Sequence, residues 1–365
     1  MKVAIVHDYL IKLGGAERVL ENLHELYPDA PVYTFLYNEN KTQGKFSKWD
    51  IRPSSLNKDP IIKNKISFAR ALMPMAAEQF DLSEYDVVIS NCHAFSKGVI
   101  TKPETVHISY CHTPTRFLWF KADEAINQMG WFSRKLAPYV LNYLRIWDVQ
   151  SADRVDYFLG NSKNVCQRIK KFYRRDSEIL YPPVDINRFQ LNENEGDYYL
   201  IVSRLEPHKK VDLAIAAFND LDLPLKIIGD GTELNYLKSL AKENIEFLGE
   251  LNDEAVVKYI YGCKAFIYPQ EEDFGITSLE AQACGRPVIA YGKGGALETI
   301  VEGRTGEYFM EQSAGCLADT IRNFDPKKYK SKEIRENAEK FSETSFKNNV
   351  KKLVEKYYNE YNKNK

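Results

Sequence analysis

KAFIYPQEEDFGITSLEAQACGRPVIAYGKGGALETIVEGRTG, residues 264 to 306, is the stretch whose reading decides the fold. Ala265-Phe266-Ile267-Tyr268 is an apolar run of strand length, and Gln270-Glu271-Glu272-Asp273 is an acidic turn. Thr277 to Cys284 has the spacing of a helix and stops at Gly285, and Arg286-Pro287-Val288-Ile289-Ala290 opens a further strand. Strand, turn, helix and strand is the rhythm of a parallel α/β domain. Glu272 and Glu280, with seven residues between them, bracket the strand-to-helix turn. Glu272 falls at the carboxyl end of the strand and Glu280 about one turn inside the helix. Ligands of open α/β sheets bind at that edge, beside helix N-termini that favour anions. A carboxylate is ill suited to a phosphate there but well suited to accepting hydrogen bonds from sugar hydroxyls.

The rhythm recurs along the chain. Val3-Ala4-Ile5-Val6 reads as a buried strand, His7 to Leu13 as a loop ending in Gly14-Gly15, and Ala16 to Leu26 as a helix with Val19, Leu20, Leu23 and Leu26 on one face. Paired glycines let backbone approach a ligand and take positive φ. The loop is neither G-x-G-x-x-G nor a P-loop, so it is not a standard dinucleotide or ATP cradle. Asp86 to Ser90 and Val106 to Tyr110 read as further strands, the second running into Cys111-His112-Thr113-Pro114, which sets His112 just past a strand end. His93 is the weaker candidate of the same kind. Pro182-Pro183-Val184-Asp185 begins a crossing, and the polar 192–197 stretch reads as linker. After it, Tyr198 to Val202 is a strand, Ser203 to Lys210 a loop and Val211 to Phe218 a helix. Arg204 and Lys209 lie five apart across that loop, a fork of donors and a point charge that can converge on one anion such as a diphosphate leaving group.

Glu272 and Glu280, with Gly292-Lys293-Gly294-Gly295-Ala296-Leu297-Glu298 and Glu302-Gly303-Arg304-Thr305-Gly306 behind them, resemble the Glu-x7-Glu signature of retaining nucleotide-sugar glycosyltransferases of family four. Arg204 and Lys209 match that family's Arg-x4-Lys motif, with Lys210 where many members have glycine. The resemblance implies a GT-B fold: an N-terminal acceptor-binding Rossmann-like domain over 1–190, a donor-binding one over 191–341, facing it across a cleft, and a final helix over 342–365 crossing back to the first. It implies that Arg204 and Lys209 meet the donor phosphates, Glu272 the sugar hydroxyls and Glu280 the ribose. Phe274, Gly275 and Ile276 complete that loop, Glu250 and Leu251 meet the base, Gly14 and Gly15 line the site near the phosphates and acceptor, and His112 lies beside the donor sugar. The implied reaction moves a hexose to an acceptor hydroxyl with retention, without a metal or other cofactor, since no Asp-x-Asp motif stands where one is needed. The opening Gly14-Gly15-Ala16-Glu17-Arg18-Val19-Leu20 and Ser203-Arg204-Leu205 look most like bacterial O-antigen mannosyltransferases. That makes GDP-mannose the expected donor and a lipid-linked saccharide of cell-surface polysaccharide synthesis the expected acceptor. A UDP-hexose donor, a GT-B enzyme of another reaction and a non-catalytic sugar-nucleotide-binding protein are the alternatives.

Length and composition bound these readings. A chain of 365 residues, 44% apolar, is long for one core. Net charge is −1, but residues 1–190 carry 26 basic against 21 acidic side chains and residues 191–365 carry 24 against 30. Neither half is basic enough for nucleic acid. The six cysteines form no C-x-x-C pair, which fits free thiols in a reducing compartment. No secretory signal is visible and no apolar run reaches the roughly 20 residues of a membrane span. The expected place is the cytoplasm, peripheral at the inner face of the plasma membrane. Residues 41–70 are strongly basic; Ile61 to Phe80 reads as an amphipathic helix with Ile62, Ile66, Ala69, Leu72 and Met73 on one side. Trp131 to Trp147 mixes Arg134, Lys135 and Arg145 with Phe132, Leu136, Tyr139, Tyr143 and Leu144. Basic charge beside aromatics suits an anionic membrane surface, and a core-facing helix with a solvated side gives the same pattern.

Overall fold

The computed structural model describes residues 1–59, 70–120, 122, 126, 131–192 and 196–363, with no side-chain description for 131–133. The chain divides into two compact units, Met1–Tyr181 with Phe346–Lys365, and Pro182–Ser345. The 192–197 stretch taken as linker belongs to the second unit by this division, and residues 193–195 of it lie outside the described residues.

In the first unit, seven parallel strands are β1 (Val3–Leu10), β2 (Val32–Tyr37), β3 (Ile51–Pro53), β4 (Val87–Cys92), β5 (Val106–Cys111), β6 (Tyr157–Gly160) and β7 (Ser177–Ile179), in the order β3-β2-β1-β4-β5-β6-β7. Its helices are α1 (Gly15–Leu26), α2 (Met73–Glu78), α3 (Arg116–Trp119), α4 (Trp131–Ala152) and α5 (Lys163–Tyr173). The central strands are buried on both faces, which is why they read as apolar runs. β1 outlasts the four residues expected of it. His7 pairs with Thr34, Tyr9 with Leu36 and Leu10 with Tyr37 on one side, and His7 with Asn91 on the other. His7 and Asp8 are thus strand residues with no exposure, not loop residues. β3 escaped the sequence reading because it is a three-residue edge strand ending in proline.

Of the helix expected over Ile61 to Phe80, residues 61–69 lie outside the described residues. The rest is a 3₁₀ turn, Arg70–Leu72, followed by α2, and Leu72 is 40% exposed while Met73 is fully buried, so the two do not share an apolar side. α4 has two apolar faces. Ala137, Leu141, Leu144 and Trp147 are buried, whereas Leu136, Tyr139, Val140, Tyr143 and Ile146 form an exposed stripe at helical spacing.

In the second unit, six parallel strands are β8 (Tyr199–Val202), β9 (Leu225–Ile228), β10 (Ile245–Gly249), β11 (Ala265–Tyr268), β12 (Val288–Tyr291) and β13 (Gly306–Phe309), in the order β10-β9-β8-β11-β12-β13. The helices are α6 (Val211–Leu221), α7 (Leu234–Leu240), α8 (Asp253–Gly262), α9 (Ile276–Ala283), α10 (Ala296–Thr299), α11 (Ala314–Asn323) and α12 (Ser331–Glu339). Ile201, Ile227, Ile267 and Ile289 from the sheet pack with Ala214, Phe218, Leu317 and Ile321 from the helices. The last helix, α13 (Glu343–Lys363), returns to the first unit, as the sequence implied. Phe346, Val350, Val354 and Tyr357, at helical spacing, enter that unit's core beside Ile5, Leu23 and Ile108. Tyr357 stacks on Tyr157 with ring centroids 4.0 Å apart.

Candidate functional site

A doubly wound sheet reverses its strand order once, and the loops on either side of that point part to leave a crevice at the carboxyl edge. In the second unit the reversal lies between β8 and β11, which pair directly. The two loops leaving it there are Ser203–Lys210 and Pro269–Gly275. The first holds Arg204 and Lys209 and the second holds Glu272.

Each loop is fixed by its backbone. Leu205, fully buried, donates its N–H to Asp230 O at 2.9 Å and accepts from Glu233 N at 2.9 Å. Lys209 N donates to Glu206 O at 2.9 Å, and Thr232 Oγ1 donates to the Glu206 carboxylate at 2.9 Å. Lys210 has φ 55° and ψ 34°, the left-handed conformation, just before α6. That explains why glycine is common there: only glycine takes this conformation without cost. In the second loop, Gly275 precedes α9 with φ 97°, and Ser278 Oγ donates to its carbonyl at 2.7 Å. The Lys293-Gly294-Gly295 turn braces the loop, with Gly295 N donating to Glu272 O at 2.8 Å. A Cβ on Gly294 would sit 2.4 Å from that same oxygen. The glycines of this motif therefore let two backbones touch and set the height of Glu272.

Lys209 Nζ meets Glu272 Oε1 directly, with side chains 14% and 18% exposed. The cation expected at a phosphate and the carboxylate expected at a sugar are thus neighbours. Beneath them the buried Tyr268 hydroxyl is held well above its usual pKa by burial and then by the Glu272 charge, so it stays protonated. Arg204 is exposed at the mouth of its loop. Glu280 is 5% exposed on α9, Phe274 3% exposed, and Ile276 is the first residue of that helix. Glu250 and Leu251 follow the carboxyl end of β10, two strands from the reversal. Asp220-Leu221-Asp222, the sequence's Asp-x-Asp triplet, sits at the far end of α6, where Asp220 pairs with Arg322. No group of three or more His, Cys, Asp or Glu placed to hold a metal ion exists among the described residues. All six cysteines are free.

The first unit reverses between β1 and β4. Gly14 and Gly15 lie there at the start of α1, both exposed. Neither takes a positive φ, contrary to expectation; Gly14 is extended at φ −171°. What it provides is room, since a Cβ there would lie 3.1 Å from Glu17 Oε2. His112 follows β5, with its N–H on Cys92 O at 2.8 Å and its Nε2 2.6 Å from Asn91 Oδ1.

The sequence reading missed the polar core behind these residues. Asn91 Nδ2 reaches Ala16 O at 2.9 Å and His7 Nδ1 at 3.1 Å, and His7 Nε2 faces Glu17 Oε1 at 3.5 Å. Asp8 accepts four backbone N–H groups, His93 and Ala94 on one oxygen and Phe95 and Ser96 on the other, at 2.7–2.9 Å. Burial pushes the Asp8 and Glu17 carboxyls up. For Asp8 the His93 charge and these N–H groups, and for Glu17 the hydrogen bond and charge of His7, outweigh it, so both end below their usual values. Burial, then the neighbouring His93 and His7, hold His112 well below the usual histidine pKa. The available signal was the pair His7-Asp8 flanked on both sides by apolar residues, Val3 to Val6 and Tyr9-Leu10. A strand that continues past two polar residues must bury them with partners.

Residues 183–341 match the family model of glycosyl transferases group 1. The chain is similar to an uncharacterized glycosyltransferase of Methanocaldococcus jannaschii, 31% identical over 194 residues, covering 51% of this chain and 54% of that one. It is also similar to the alpha-1,3/1,6-mannosyltransferase ALG2 of Saccharomyces cerevisiae, 26% identical over 280 residues, covering 62% and 52%. The chain thus spans about half the length of these two relatives. Among solved structures, Anabaena HepE in complex with UDP superposes with a TM-score of 0.70 at 18% identity, covering 98% of this chain and all of that one. The chain as a whole therefore has the GT-B fold, and the likeness to group 1 glycosyl transferases falls on its second unit.

Proposed function

We propose that this protein is a retaining glycosyltransferase that moves a hexose from a nucleotide diphosphate sugar to an acceptor hydroxyl. The observation that carries this reading is the meeting of Lys209 with Glu272 at the switch point of the second sheet. Arg204 and Lys209 take the diphosphate, and their attraction grows as the glycosidic bond breaks and negative charge accumulates on the leaving group. Glu272, an acceptor only, takes sugar hydroxyls, and Glu280 takes the ribose. Glu250 and Leu251 meet the base, Phe274 to Ile276 carry the donor loop, and Gly14, Gly15 and His112 are the first unit's candidates for contact with donor or acceptor. Donor binding then exchanges one ion pair for two interactions, ammonium to phosphate and carboxylate to sugar.

The ALG2 mannosyltransferases among the relatives favour mannose as the sugar; GDP-mannose as its donor and a lipid-linked saccharide of cell-surface polysaccharide synthesis as its acceptor follow from the motif resemblance alone. The UDP complex of HepE favours a UDP-hexose as second reading. Release of nucleoside diphosphate from a panel of GDP- and UDP-sugars is the test. Release from one donor, unchanged in EDTA, is expected. Absence of both release and nucleotide binding across the panel overturns the reading, and activity lost in EDTA and restored by Mn²⁺ overturns its metal independence.

The exposed stripe of α4 supports an anionic membrane surface as a further partner. Arg134 and Lys135 adjoin it, and the helix's single acid, Asp148, is buried. Among the described residues no helix is long and apolar enough to cross a membrane. Salt-sensitive co-sedimentation with anionic vesicles, lost on Tyr139→Ser with Tyr143→Ser, is the expected result.

A further inference from the structure

The hydrogen bonds around Asn91 fix which nitrogen of His112 carries the proton. Ala16 O is a carbonyl and can only accept, so the group 2.9 Å from it is the Asn91 amide NH2. That NH2 also points at His7 Nδ1, 3.1 Å away, which must therefore offer a lone pair. The other end of the Asn91 amide is then its oxygen, which can only accept. His112 Nε2 lies 2.6 Å from that oxygen and must be the donor. Ordinarily an asparagine flip and a histidine tautomer are free choices. Here the backbone carbonyl removes both.

With Nε2–H committed to Asn91, the remaining nitrogen of a neutral His112 is Nδ1, a bare acceptor. His112 is half-buried, and Nδ1 has no hydrogen-bond partner among the described residues. The ring is held in place by Tyr110, edge-on with centroids 5.0 Å apart. Asn91 is itself held rigidly, being fully buried in β4 and paired in register with Tyr110 of β5 and His7 of β1.

We propose that Asn91 is a positioning residue that locks His112 in the Nε2–H tautomer, so that Nδ1 is presented to a substrate hydroxyl as an acceptor. The assignment of a hydroxyl to His112 rests on the glycosyltransferase reading above; the tautomer does not. His112 then acts by holding a sugar hydroxyl in place and not as a cation on the phosphate. Asn91→Leu leaves Nε2 against an apolar side chain, and the proton moves to Nδ1, where it reaches solvent but repels the hydroxyl's hydrogen. Asn91→Asp keeps an oxygen facing His112 and preserves the tautomer.

The test is nitrogen NMR of the full chain with ¹⁵N-labelled histidine, together with steady-state kinetics on whichever nucleotide sugar supports turnover. Expected are an Nε2–H pattern for His112 in the wild type and in Asn91→Asp, and a shift toward Nδ1–H in Asn91→Leu. Expected too is a kcat about tenfold to a hundredfold lower for Asn91→Leu with donor KM changed less than about twofold, the size of one lost hydrogen bond made in the transition state. An Nδ1–H pattern in the wild type overturns the proposal without any variant. So does an Asn91→Leu protein whose tautomer or kcat is unchanged. If no nucleotide sugar is turned over while the tautomer pattern is as described, the glycosyltransferase reading fails and the positioning role of Asn91 stands.

Discussion

Between β8 and β11 the chain gathers charges that reach solvent; between β1 and β4 it gathers polar groups that do not. The two places are equivalent in topology. At the first, Arg204 is exposed and Lys209 and Glu272 are held by an ion pair that a ligand can exchange. At the second, Asp8, His7 and Asn91 have no exposure, and their hydrogen bonds go to backbone, to one another and, from Asn91, to His112. On the proposed reading, one crevice is loaded to receive an anion. The other spends its polar groups on holding its own loops, and its rim, with Gly14, Gly15, His93 and His112, faces outward. The difference separates residues whose loss should silence the protein from residues whose loss should unfold it.

Asp8→Ala is the most severe test. It strands four backbone N–H groups in the interior, and a loss of about 3–5 kcal/mol in chemical denaturation of the first unit is expected. Arg204→Ala should do the reverse. Denaturation midpoints should be unmoved, while nucleotide release falls about a hundredfold to a thousandfold, the usual cost of losing a donor to a growing negative charge. If Arg204→Ala unfolds the protein or Asp8→Ala silences it without destabilising it, the contrast is wrong.

Acid should also tell the units apart. His7, His24, His93, His107 and His112 belong to the first unit and only His208 to the second. Burial, helped by the Arg175 charge and resisted by a bond to Arg154 O, brings His107 down to about 4. The unfolded chain therefore takes up this proton first as pH falls. The stability is whole above the ordinary histidine pKa and is lost between there and about pH 4, roughly 3 kcal/mol for this one residue. His93 and His112 shift the same way, and Asp8 and Glu17, also lowered, extend the loss further down. Hydrogen exchange at pH 5 should show the first unit opening before the second; equal opening of both removes the distinction. The smallest effect is expected at the charged loop itself. Lys210→Gly relieves a left-handed lysine, and a gain of about 0.5 kcal/mol in thermal unfolding is expected after glycine's own entropy is counted.

The same contrast explains what the sequence disclosed. Glu272, Arg204 and Lys209 stand between strand ends and helices, and Glu280 stands in the first turns of the helix that follows Glu272, where spacing places them at the carboxyl edge. The parallel sheets were legible because buried strands are apolar runs. Asp8 and Asn91 were not legible, because their partners come from 21 to 88 residues away in the chain and no local pattern marks such a contact. Lys210 showed as a departure from a family pattern, and its backbone conformation supplied the reason. The exposed stripe of α4 was visible only as a mixed apolar and basic run until burial sorted Leu144 from Tyr143.

α13 carries a consequence for how the protein is made. The first unit lacks Phe346, Val350, Val354 and Tyr357 until the residues that follow the second unit are translated. Of these two units the earlier to be translated is thus the later to be completed, and the second can close its own core before it. A stop codon after Ser342 should yield a chain in which protease digests the N-terminal portion and spares residues 183–341. A nascent first unit that resists protease before α13 is translated would show that its core tolerates the missing helix.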